Sequence, residues 1–299
     1  MNTIIRIIFR RGPRRYNFLP ATADVRPQSS FSVPSRADPR RRIAVNVFYP
    51  PEVSPEDRRK LPVHLNAHGS GFCYKVFTED SELCAYLAQK AGCIVLDTDY
   101  AKAPKHPFPA AFNDVSDVVA YVLGHPEDWD LRRFTMGGCS SGACLSLSVA
   151  AVQAKGVVKS LQVWYPPVDL STHESNLTPV PELAKGSPGM PFSLWERYRF
   201  EEAYVPDDVD REDPRLSPIY APVESFPPVT IICGDRDPML PSIQRFVTKL
   251  KEGGNDLVEM IAPGCGHGFE RLVEPDSDFA VLRDKALELC VRRMQESWA

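Results

Sequence analysis

Four short glycine-bearing segments hold the residues whose types and spacing could do chemistry. The first is Gly138-Cys139-Ser140-Ser141-Gly142. A serine between glycines at ±2 suits a sharp strand-to-helix turn, where a strained backbone holds the hydroxyl outward and bulky neighbours do not fit. An apolar strand precedes it and a small-residue helix follows, whose N-terminal N–H groups favour developing negative charge. Ser140, central between the glycines, is the expected nucleophile, and Ser141 is the rival hydroxyl. The second segment, Gly264-Cys265-Gly266-His267-Gly268-Phe269, places His267 in an adjustable loop as a base for that serine. The third, Gly234-Asp235-Arg236-Asp237-Pro238, offers the orienting acid. Either aspartate could serve, and Asp235 could instead cap the next segment or pair with Arg236. The fourth, His68-Gly69-Ser70-Gly71-Phe72, is a loop whose glycines let amides turn toward a carbonyl oxygen. The expected oxyanion donors are the amides of Ser70 and Gly71, with Gly69 shaping the loop and Ser141 adding its own amide. The chemistry these four segments would do is acyl transfer through a nucleophilic serine.

Only six histidines compete for the role of base. His64 falls in a strand, His125 after a helix, His106 among prolines, and His173 at the start of a Pro/Glu/aromatic stretch. His68 lies in the fourth loop with no acid near it in sequence, and reads as a hydrogen-bonded strut. His267 is left.

The elements that must position these loops can be read from periodicity. Residues 30–34 and 42–49 alternate as antiparallel strands. Buried strands are expected at 63–67, 93–97, 134–136, 161–165, 229–233 and 257–261. Helical patterns cover 81–90, 110–123, 145–155, 192–204, 242–252 and 279–296. Strands alternating with helices imply a mostly parallel sheet with helices on both faces and a functional edge at the strands' C-terminal ends. The expected organisation is a basic N-terminal segment over 1–42 that contributes to a cap, a core over 43–172, a cap or lid insertion over 173–222, and the rest of the core over 223–299. The order Ser, Asp, His along the chain is the one that an α/β-hydrolase arrangement uses.

Composition excludes several classes. The chain of 299 residues is 43% hydrophobic and 25% charged, ordinary globular usage. A net charge of −4 implies no nucleic-acid face. No run nears the ~18 apolar residues of a spanning helix, so stable membrane insertion is not expected. The charge is uneven, since residues 1–42 carry ten Arg against two Asp. Five of those Arg lie in 1–15, which contains no acid. A cytoplasmic location is the expectation, with a mitochondrial presequence as the alternative. Eight cysteines without a CxxC pair or a secretory signal read as reduced, buried thiols rather than disulfides or zinc ligands.

Beyond these residue-level signals, HGSGF, DYAKAPKHPFPAAFND (99–114), GCSSG, GDRDPML and GCGHGF resemble the hormone-sensitive-lipase-like branch of the α/β hydrolases, with its HGGGF/W, DYRLAPEHPFPAA, GDSAGG, DPL and HGF motifs. The resemblance covers about residues 43–290. It implies an eight-stranded α/β-hydrolase sheet, a helical cap, and hydrolysis of carboxylic esters, often short-chain. By motif position it favours Asp237 over Asp235. Departures are HGSG for HGGG, Cys139 and Ser141 around the nucleophile, and Lys102 and Lys105 in the DYAKAPKHP segment.

The expected function is hydrolysis of small carboxylic esters by Ser140, His267 and Asp237, with no cofactor or metal and with a small-molecule ester as partner. The protein would act as a monomer or homodimer. The alternative is thioester or lactone hydrolysis, or acyl transfer, in small-molecule biosynthesis. A non-catalytic receptor of the same fold is a third reading, which the presence of His267 opposes. Phe72, Phe192, Trp195 and Tyr198 are the expected pocket residues.

Overall fold

The computed structural model describes residues 25–54, 56–171, 182–190 and 194–299, the side chains of 194–196 excepted. Expectations for residues 1–15, His173, Phe192 and the Trp195 side chain lie outside the described residues.

Eight strands form one sheet: β1 (Ser29–Pro34), β2 (Arg42–Phe48), β3 (Pro62–Ala67), β4 (Ile94–Thr98), β5 (Asp130–Cys139), β6 (Leu161–Trp164), β7 (Val229–Gly234) and β8 (Leu257–Ala262). Their spatial order is β1-β2-β4-β3-β5-β6-β7-β8. The β1–β2 and β2–β4 pairs are antiparallel and the rest are parallel. Strands β3, β4, β6 and β7 are buried along their whole length, which explains their near-continuous apolar character. Register brings Ala67 beside Gly138, Cys139 beside Trp164, and Gly234 beside Ala262. The loops that follow β3, β5, β7 and β8 therefore emerge at one edge.

Six helices accompany the sheet among the described residues: α1 (Ser81–Ala91), α2 (Ala110–Leu123), α3 (Ser141–Ala151), α4 (Leu194–Tyr204), α5 (Leu240–Glu252) and α6 (Asp278–Trp298). Helix α1 packs on α6, and α2 on α3. Helix α3 is buried from Ser141 to Ala150, so its alternation of small residues fits a helix enclosed on every side. Ser146 Oγ satisfies itself on the Gly137 carbonyl at 2.7 Å. Ser277 caps α6 by accepting from the Ala280 amide at 3.1 Å. None of these helices is long and apolar enough to cross a membrane.

Two elements depart from the sequence reading by more than two residues. Strand β5 spans ten residues rather than three. Gly137 and Gly138 look like breakers but continue the ladder, because a Cβ at Gly137 would lie 2.4 Å from the Gln162 carbonyl. Helix α3 begins at Ser141 rather than 145, and it ends at Ala151 rather than 155. Packing against the sheet overrides the weak helix propensity of its first turn, and past Ala151 the chain becomes largely exposed.

Part of the N-terminal basic charge is structural. Arg36 pairs with Asp117 and Arg41 with Asp114, tying the β1–β2 hairpin to α2. Asp114 is fully buried and also accepts from Ser35 Oγ and the Ala101 amide. All eight cysteines are buried and unbonded to one another.

Candidate active site

At the end of β5 the chain turns directly into α3 through Ser140, whose φ of 51° and ψ of −122° are unfavourable for an L-residue. Such a conformation persists only where the surroundings over-determine it. Here the glycines at ±2 allow the turn to close on β3. A Cβ at Gly138 would lie 2.2 Å from the Ala67 carbonyl oxygen, and one at Gly142 only 1.8 Å from it. The Ser140 amide is anchored to the Trp164 carbonyl at 2.9 Å.

Ser140 Oγ lies 2.9 Å from His267 Nε2, and His267 Nδ1 lies 2.8 Å from Asp237 Oδ2. The carboxylate accepts the Nδ1 proton, so Nε2 is left to accept from the Ser140 hydroxyl. Asp237 is fully buried, and its other oxygen accepts from the Met239 amide at 2.8 Å. Of the two aspartates, Asp235 faces elsewhere, accepting from the Gly264 amide at 2.7 Å and pairing with Arg236. The His267 loop is braced by residues 182–190. The Met190 amide donates to the His267 carbonyl at 2.7 Å, and the Gly266 amide to the Pro188 carbonyl at 2.8 Å. The Tyr165 ring packs against the imidazole, with 4.5 Å between centroids.

The loop after β3 departs from expectation at Ser70. Gly71 and Ser141 line the pocket beside Ser140, and Gly69 lies close behind, where a Cβ would be 3.2 Å from the Cys139 carbonyl. Ser70 is buried behind that wall, and its amide donates to Ser141 Oγ at 2.9 Å. It is thus not a free oxyanion donor. The positive φ values of the loop fall on Gly71 (55°) and Phe72 (59°), so the serine that replaces glycine carries no such strain. His68 is fully buried. Its Nδ1–H donates to the Gly69 carbonyl at 3.0 Å, and Nε2 accepts from Lys102 Nζ at 3.2 Å. Burial, then the Lys102 charge, pushes its pKa down. The Lys102 ammonium, on the segment with unusual lysines, also donates to Asp99 at 2.6 Å and to the Tyr100 carbonyl at 2.7 Å.

Ser140 and His267 open into a pocket of about 60 Å³. Its wall includes Phe72, Pro167, Leu170 and Met239, and from α4 Arg197, Phe200, Glu201 and Tyr204. Phe72 stacks on Tyr204 with ring centroids 3.9 Å apart. Tyr198 is not part of this wall. The residues of α4 that reach it follow helical spacing from 197 to 200, 201 and 204, and Tyr198 sits one position off that face. Arg197, Phe200 and Glu201 were missed by sequence reasoning. Counting back by three and four from Tyr204 would have found them.

Comparison with known proteins adds the following. A family model for the alpha/beta hydrolase fold matches residues 64–271. An AB hydrolase superfamily protein of Schizosaccharomyces pombe is 27% identical over 230 residues, 74% of this chain and 66% of that protein. An ethyl acetate hydrolase of Pseudomonas putida is 27% identical over 237 residues, 77% of this chain and 72% of that one. The chain thus spans about two thirds of these relatives' length. Among solved structures, the carboxylesterase EstE1 from a metagenomic library superposes with a TM-score of 0.81 at 21% identity, covering 99% of this chain and 98% of that one. That likeness concerns the fold.

Proposed function

The chain belongs to the α/β-hydrolase fold family, in a branch whose named members are esterases and carboxylic ester hydrolases, and we propose that it cleaves short carboxylic esters through Ser140, His267 and Asp237. The observation that carries this reading is the continuous hydrogen-bonded line from Ser140 Oγ through His267 to Asp237, at 2.9 and 2.8 Å, opening into the pocket.

Ser140 Oγ attacks the ester carbonyl carbon as His267 Nε2 takes its proton. The tetrahedral oxyanion lies against the amides of Gly71 and Ser141, the second of which is also the first turn of α3. Collapse breaks the carbon–oxygen bond, and the departing alcohol takes the proton from His267. Water then attacks the acyl-enzyme, giving a proton to His267, and the carboxylic acid leaves as that proton returns to Ser140. Asp237 holds the imidazole in the required tautomer and stabilises the imidazolium. The small pocket favours short acyl groups, since 60 Å³ at about 10–15 Å³ per water is room for only about four to six waters.

A chain-length panel of p-nitrophenyl esters tests the proposal. Activity should be greatest with acetyl to butyryl esters and vanish in Ser140→Ala. Equal turnover by wild type and variant would refute it.

A further inference from the structure

Among the described residues, Arg197 is the one guanidinium or ammonium in the pocket wall, whose other residues are mostly apolar. It projects from α4 into the space that Ser140 and His267 share. Its Nε and Nη1 atoms are buried and have no hydrogen-bond partner among the described residues. Burial pulls the guanidinium pKa down, while Glu201, Asp237 and Tyr198 act in the opposite sense. An arginine nevertheless keeps its charge in a protein.

The nearby carboxylates offset that charge through space, but neither accepts a hydrogen bond from its buried Nε or Nη1. Asp237 is committed to His267 Nδ1 and the Met239 amide. Glu201, one helical turn beyond Arg197, also faces Arg211 at 3.5 Å. Glu201 is therefore drawn by a second guanidinium that is not in the pocket wall, and the buried Nε and Nη1 of Arg197 keep no acceptor among the described residues. A desolvated cation with unused donors is costly in an apolar wall unless something arriving there accepts from it. The guanidinium fork matches a carboxylate, which can take two parallel N–H bonds, whereas a neutral ester oxygen takes fewer and carries no charge.

We propose that the substrates of this site are short esters that carry a free carboxylate, which Arg197 receives while Ser140 attacks the ester carbonyl. The inference rests on the ester-hydrolase reading above and names the substrate class for the same pocket. With monoethyl succinate the balanced reaction consumes one water and gives succinate, ethanol and one proton. Arg197 binds the spectator carboxylate and takes no part in proton transfer.

The test compares matched pairs that put the charge on either side of the ester. Monoethyl succinate is set against ethyl butyrate for the acyl side, and O-acetylglycolate against ethyl acetate for the alcohol side. In wild type, kcat/KM for at least one charged ester should exceed that for its neutral partner roughly tenfold or more, the return on one charge-assisted hydrogen bond. Arg197→Leu should abolish that preference, Arg197→Lys should restore part of it, and thermal melts should show both variants folded. A wild-type preference for the neutral ester in both pairs would overturn the inference, as would an equal loss on charged and neutral esters in Arg197→Leu. Failure to cleave p-nitrophenyl acetate, together with no fluorophosphonate adduct at Ser140, would instead refute the ester-hydrolase reading beneath it.

Discussion

The backbone amide of Ser70 donates to the side-chain hydroxyl of Ser141 at 2.9 Å. The surrounding protons can be assigned. Tyr100 gives its single proton to the His68 carbonyl at 2.6 Å. The hydroxyls of Ser70 and Ser141, at 2.8 and 3.0 Å from the phenol oxygen, must then donate to it. Ser141 Oγ keeps a lone pair for the Ser70 amide. All three side chains are buried, so the cluster is closed to water. The proposed oxyanion donors are then the amides of Gly71 and Ser141, residues that line the pocket beside Ser140. Removing the hydroxyl leaves the buried Ser70 N–H without its acceptor. Ser141→Ala is predicted to lower stability by about 1–3 kcal/mol. It should change kcat little, because Ser70 lies behind the pocket wall. Urea melts and steady-state kinetics measure both, and an unchanged stability would contradict this bonding of the cluster.

The two aspartates after β7 make separable predictions. Asp237→Asn should lower kcat by about 10⁴-fold, since the amide cannot hold the imidazole tautomer. Asp235→Asn weakens the Gly264 turn and the pair with Arg236, and should leave kcat within about threefold while costing about 1 kcal/mol of stability. Comparable losses of kcat in both variants would contradict the assignment.

Acid should destabilise the fold through histidines far from solvent. His64 is 1% exposed, with Nδ1 2.9 Å from Thr135 Oγ1, and burial pushes its pKa from 6.5 down to about 3. His68 shifts in the same direction. A folded-state pKa below the unfolded value means that the unfolded chain binds the proton first. The stability contribution is fully present above pH 6.5 and is lost as pH falls toward 3, by an amount on the order of 4–5 kcal/mol for His64. Urea midpoints measured between pH 7 and 4.5 should fall steeply in wild type and less steeply in His64→Asn. Parallel curves would rule the group out.

Gly142 tests the turn itself. A methyl there would meet the backbone oxygens of Ala67 and His68 at 1.8 and 2.6 Å, and neither can swing aside as a side chain would. Gly142→Ala should cost more than the ~1–3 kcal/mol of ordinary overpacking and lower both soluble yield and melting temperature. Gly156→Ala is the contrast, with a positive φ of 83° but no atom within 4 Å. It should lose only about 1–2 kcal/mol. Equal losses would mean that backbone conformation, rather than the close approach to β3, explains the glycine.

What could be read from the sequence follows from how local each signal is. The alternation of strands and helices, and the glycine spacing around Ser140, are local, and the sheet and the strand-turn-helix context agree with them. The choice between Asp235 and Asp237 was not local. Both follow β7; the family resemblance favours Asp237 by motif position, and the turn brings that residue to His267 while Asp235 meets the Gly264 amide. The pocket-facing side of α4 was hidden because LWERYRFEEAY mixes aromatic and charged residues all around the helix, leaving no apolar stripe to set its phase. Packing of Tyr204 on Phe72 sets it instead. The Ser70–Ser141–Tyr100 cluster joins three segments far apart in the chain, so only the fold brings its hydroxyls together.

The central claim is that Ser140 is an activated nucleophile. Intact-mass analysis after treatment with a fluorophosphonate tests it most directly. Wild type should gain one adduct, mapped to Ser140 by peptide sequencing, while Ser140→Ala should gain none and His267→Ala should react far more slowly. A wild-type protein that stays unlabelled, or that is labelled equally after Ser140→Ala, would contradict the account.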